Sequence, residues 1–83
     1  MFINKSSDGS NNICGRKVAQ HRKTMKISQR KLADLLQLEG LDINKNAIQR
    51  IEAGKRFVTD IELVALAKVL KSSVEDLLQT DER

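Results

Sequence analysis

Proline, tryptophan and tyrosine are missing from this chain altogether, and phenylalanine occurs only twice. With four glycines and plentiful Leu, Ile, Lys, Gln, Ala and Glu, the mix favours helix over strand and predicts an all-α fold. One cysteine, Cys14, excludes an internal disulfide, and one histidine, His21, has no partner at ligand-like spacing for a metal site. No stretch approaches the roughly 20 apolar residues that cross a bilayer. Met1 to Asn12 lacks the charged start and apolar core of an export signal. No Ser/His/Asp or Cys/His set, paired carboxylates or phosphate-cradling glycine loop appears, so neither an enzyme, a small-molecule substrate nor a cofactor is expected. A reducing cytoplasm is the expected setting. At 83 residues the chain should form one domain of four or five short helices, with regulation acting through that domain.

What is present is positive charge, unevenly placed. Residues 16–56 hold eleven Lys or Arg against four Asp or Glu, a net +7, whereas residues 57–83 hold three against six, a net −3. Such a division suggests one face suited to a polyanion, although many soluble domains carry a basic patch.

The first twelve residues, rich in Ser, Asn, Asp and Gly, read as a flexible arm. The domain proper is expected over 13–79, with 80–83 frayed. The spacing of Cys14, Val18, His21 and Met25 predicts a first helix from about Ile13 to Met25. In it Cys14 is a small apolar filler, His21 is half-buried and Met25 belongs to the core or the helix end. Ser28 caps a second helix that buries Leu32, Ala33, Leu35 and Leu36 and ends near Leu38 or Glu39. Asn44 caps a third, to about Ala53, whose Ala47, Ile48 and Ile51 form its back and which Gly54 closes. Thr59-Asp60-Ile61-Glu62 has the form of a capping box and opens a fourth helix to about Leu70; Ser73 opens a short fifth. Burying Ile48 and Ile51 turns Lys45, Asn46, Gln49 and Arg50 outward. These side chains suit base edges: Lys or Arg for guanine, Asn for adenine.

Ser28-Gln29-Arg30-Lys31-Leu32-Ala33, then Asn44 to Glu52, then Ala53-Gly54-Lys55-Arg56 resemble the Cro/lambda-repressor-type (XRE-like) helix-turn-helix family. The resemblance extends from about Gly15 to Leu78 and implies a compact five-helix bundle that binds double-stranded DNA, usually as a two-fold dimer on an inverted repeat. By position it implies that Lys45, Asn46 and Arg50 read bases, with Gln49 peripheral. It places Gln29, with Ser28 and Asn44 at the helix starts, and Lys55 and Arg56 against phosphates. Arg22 and Glu52 match a structural salt bridge. The departure from the family is the ten residues between Ala33 and Asn44, about five more than its usual tight turn. They imply either a longer second helix or a loop.

Eight of the ten residues Ile61–Leu70 are apolar, more than one inward stripe needs. The surplus predicts a homodimer contact through Leu63, Leu66 or Val69 with Val74, Leu77 and Leu78. The function expected is a repressor that occupies a promoter. The alternative is an antitoxin that binds a toxin and represses its own promoter, and a separate antirepressor is a further possible protein partner.

Overall fold

The computed structural model describes residues 10–79. Five α-helices follow in order: α1 Gly15–Thr24, α2 Gln29–Leu38, α3 Lys45–Glu52, α4 Asp60–Val69 and α5 Val74–Leu78. Four begin where a short polar side chain can satisfy free amides. Ser28 Oγ accepts from Lys31 N–H, Asn44 Oδ1 from Ala47 N–H and Ser73 Oγ from Asp76 N–H. Thr59 and Glu62 form the reciprocal capping box. Four helices also end alike, with the second residue past the helix cap bonding back five positions: Ile27 to Arg22, Leu41 to Leu36, Lys55 to Arg50 and Ser72 to Ala67. The left-handed residue this requires is glycine at Gly40 and Gly54 but lysine at Lys26 and Lys71.

α3 packs between α1 and α2, α4 lies on α2, and α5 on α1 and α4. Cys14 and Val18, Leu32, Ala33 and Leu36, Ile43, Ile48 and Ile51, Leu66, Ala67 and Leu70, and Leu77 form one buried core. Met25 packs against it, and Leu35, expected inside, is only half-buried.

The long connection is a loop rather than an extension of α2. Gly40, at φ +89°, stops the helix, and Leu41 turns back onto the core. Gln37 Nε2 then donates to Ile43 O at 2.8 Å, and the Ile43 side chain is buried. The extra residues are thus pinned at both ends, and α3 still starts at its Asn44 cap.

Two expectations need correction. Asn11 and Asn12, assigned to the flexible arm, are hydrogen-bonded to the loop after α3. Residues 1–9 of that arm and the frayed 80–83 lie outside the described residues. Leu66 and Leu77, expected at a dimer contact, are completely buried inside the chain and unavailable to a partner. The surplus apolar surface of α4 lies instead at Ile61, 72% exposed, and Val64, 59% exposed, with Phe57 at 55% in the loop before it. Among the described residues no helix is long and apolar enough to cross a membrane.

Candidate nucleic-acid interface

α3 is two-sided because its apolar residues, Ala47, Ile48 and Ile51, stand at i, i+1 and i+4. Ile48 and Ile51 are fully buried, Ala47 is half-buried, and Lys45, Asn46, Gln49 and Arg50 are all exposed. Burial of one stripe forces the other outward, so the cationic and amide groups form a row along a rigid rod. Asn44 itself is committed through Oδ1 to the cap. In Ser28 the cap uses an oxygen lone pair and leaves the hydroxyl proton free to donate.

One carboxylate holds this arrangement together. Arg22 Nε donates to Glu52 Oε2 at 2.6 Å and its terminal nitrogen to Oε1 at 3.0 Å, a two-bond pair whose side chains are 12% and 9% exposed. The guanidinium also donates to Ile27 O at 2.9 Å. Its pKa is raised by the hydrogen bond to Glu52, so it stays charged. Gln29 Nε2 donates to Glu52 Oε1 at 3.0 Å. Glu52, the last residue of α3, therefore ties that helix to α1 and to the first turn of α2. Gln29 gives one amide proton to this tie, at the α2 N-terminus where free backbone amides also point. The expected Arg22–Glu52 bridge is present, and its extension to Gln29 was not apparent from sequence.

The two residues expected to clamp a phosphate differ. Lys55 is exposed. Arg56 is half-buried and donates twice to Glu62, at 2.8 and 2.9 Å, and once to Phe57 O at 3.2 Å. The hydrogen bonds from Arg56 hold the Glu62 carboxyl below its usual range, and the Thr59 amide adds to this. A phosphate at Arg56 has to compete with that carboxylate; at Lys55 it does not.

The backbone of this loop is held from the other side by the segment before α1. Asn11 N–H donates to Gly54 O at 2.7 Å and Asn11 Nδ2 to Lys55 O at 2.9 Å. Asn12 Nδ2 donates to Arg56 O at 2.7 Å and Ile51 O at 3.2 Å. Neither asparagine stood out in the sequence, because their partners are about 40 positions away.

His21 is half-buried, as its position suggests, and lies away from the outward row. Its Nε2 is 2.6 Å from Asp76 Oδ2, which also accepts from Ser72 Oγ at 2.8 Å. Both groups meet the same carboxylate oxygen, and the Ser72 hydroxyl is 3.5 Å from the ring, so the cluster links α1 to α5 without activating the serine as a nucleophile. Among the described residues no group of three His, Cys, Asp or Glu is placed to hold a metal ion.

A family profile described as helix-turn-helix matches residues 18–77. No curated protein matches the chain. Among solved structures, the fold is similar to the P22 c2 repressor protein, crystallised in complex with synthetic operator 9T in the presence of Tl+. That similarity has a TM-score of 0.71 and 27% identity, covering 84% of this chain and 98% of the repressor chain. It is also similar to the restriction-modification controller protein C.AhdI from Aeromonas hydrophila, with a TM-score of 0.67 and 26% identity over 77% of this chain and 89% of that one.

Proposed function

Because the chain belongs to the helix-turn-helix family, of the Cro/lambda-repressor type, we propose that it is a transcriptional regulator that binds double-stranded DNA sequence-specifically through α3. The observation that carries the reading is the exposed row Lys45, Asn46, Gln49 and Arg50 on a helix whose back is sealed by Ile48 and Ile51. In the major groove Lys45, Asn46 and Arg50 face base edges, with Gln49 at the periphery. Gln29 and Ser28 at the α2 N-terminus, Asn44 at that of α3, and Lys55 and Arg56 beyond it meet phosphates, with Lys55 the stronger clamp. Bound at a promoter in the cytoplasm, such a domain represses by excluding polymerase.

The protein acts as a homodimer on an inverted repeat. The apolar surface left by α4, at Ile61 and Val64 with Phe57 in the loop before it, supports this, and Leu63, Val69, Val74 and Leu78 are each partly exposed. Sedimentation at micromolar concentration is expected to give a dimer. A strict monomer shifts weight to the antitoxin alternative, in which that surface seats a toxin.

Selection of duplexes from a random pool tests the central claim. A two-fold symmetric site should be enriched, and Arg50→Ala should relax preference at one position per half-site by about 1–3 kcal/mol. A pool that emerges unenriched, with no binding even at low salt, sinks the reading.

A further inference from the structure

Asn11 and Asn12 lie beside the proposed interface without belonging to it. Three consecutive carbonyls of the loop after α3, those of Gly54, Lys55 and Arg56, each accept a hydrogen bond from one of these two adjacent residues. The loop has no regular backbone ladder of its own, so these bonds define its path. Asn12 uses both amide protons, with Nδ2 reaching Ile51 O and Arg56 O, while Oδ1 accepts from the N–H of Gly15, the first residue of α1, at 2.8 Å. The fit around them is close. A Cβ at Gly15 would collide with the Ile51 carbonyl, and one at Gly54 would lie 2.8 Å from Ser10 Oγ. The root of the N-terminal segment is therefore a strut wedged between the start of α1 and the end of α3, and Lys55 projects from the backbone it holds.

We infer that Asn11 and Asn12 are positioning residues for the phosphate contact of Lys55: they fix the loop from which that ammonium reaches the DNA backbone, and touch no nucleotide themselves. The inference rests on the DNA-binding reading above. A lysine on an unheld loop samples many positions and loses the advantage of a preset geometry. The effect falls on the sequence-independent part of the binding, because Lys55 meets phosphate while α3 meets bases.

The test measures affinity of the full-length chain for a selected duplex and a scrambled one across a salt series, at a temperature where circular dichroism shows each variant folded. Asn12→Ala and Asn11→Ala should weaken both duplexes by the same factor, lower the salt slope by about one and leave base preference intact. Combined with Lys55→Ala, neither should weaken binding further. Asn11→Ala leaves the Asn12 bond to Gly15 N–H in place, so it carries the test if Asn12→Ala does not fold. An unchanged salt slope in the folded variants, or a loss that adds in full to that of Lys55→Ala, overturns the inference while the DNA-binding reading stands. A native chain that binds neither duplex sinks both.

Discussion

The α1–α3 half and the α4–α5 half of the domain are held by different means. In the first, Arg22 and Gln29 converge on Glu52 in a nearly buried cluster, and asparagines stitch the loop after α3 to the start of α1. The polar ties that join this half to α4 and α5 lie nearer to solvent: Lys68 to Glu39 with side chains 69% and 34% exposed, and His21 to Asp76 with 32% and 37%. Both halves leave apolar side chains uncovered: Leu38, at the end of α2, is 82% exposed, and Ile61 and Val64 stand out from α4. Preset geometry is thus concentrated around the outward row of α3, while the links from there to α4 and α5 are of the weaker, solvent-screened kind.

The sharpest way to break this contrast is at Glu52. Glu52→Ala leaves the Arg22 guanidinium nearly buried and unpaired and should cost about 3 kcal/mol, measured by thermal or urea denaturation. A loss no larger than that of an exposed pair would erase the distinction between the halves. Next, charging the uncovered face with Ile61→Lys and Val64→Lys should weaken self-association at least tenfold in sedimentation. It should change the stability of the folded unit by no more than about 0.5 kcal/mol, because these side chains are already in water. A cost of several kcal/mol to folding would place them in the core instead.

Arg56→Ala sits between the two regimes. It should cost about 1–2 kcal/mol, because Arg56 itself is about a third exposed and Glu62, though only 13% exposed, keeps the Thr59 amide as a partner. The depressed carboxyl of Glu62 sets the pH dependence. Its contribution is complete above the ordinary glutamate pKa of roughly 4.3 and is lost as pH falls through the lower folded-state value. Glu62→Gln should flatten that part of the acid limb of stability. The smallest effects are expected at the two left-handed lysines. Lys26→Gly and Lys71→Gly should each stabilise by about 0.5 kcal/mol, as relief of a left-handed side chain outweighs the added freedom of glycine in the unfolded chain. Destabilisation at either site would mean its side chain makes contacts that matter more than its backbone.

Whether a feature could be read in advance depended on the range of the interaction behind it. Ser28, Asn44, Thr59 and Ser73 announce their helices because a cap bonds within three residues. The two faces of α3 follow from the spacing of Ile48 and Ile51, and the Arg22–Glu52 pair was reached through family resemblance. α4 defeated the same method: with apolar residues all round, its periodicity does not say which stripe points inward, so Leu66 was expected outside and is buried, while the exposed Ile61 was not singled out. The strut at Asn11 and Asn12 was out of reach, since nothing local to an asparagine-rich segment specifies carbonyls so far along the chain. The connection before α3 was legible only as an anomaly of length. Its solution depends on Ile43 finding the core and Gln37 finding the Ile43 carbonyl.

The division within α3 also bears on how such a domain changes over generations. Ile48, Ile51 and Glu52 carry the folding duties of the helix, whereas Lys45, Asn46, Gln49 and Arg50 carry none that tie it to the rest of the chain. Replacements at those four positions can drift among polar residues with little penalty to the domain's integrity, so on the proposed base-reading role the scaffold and its address evolve separately.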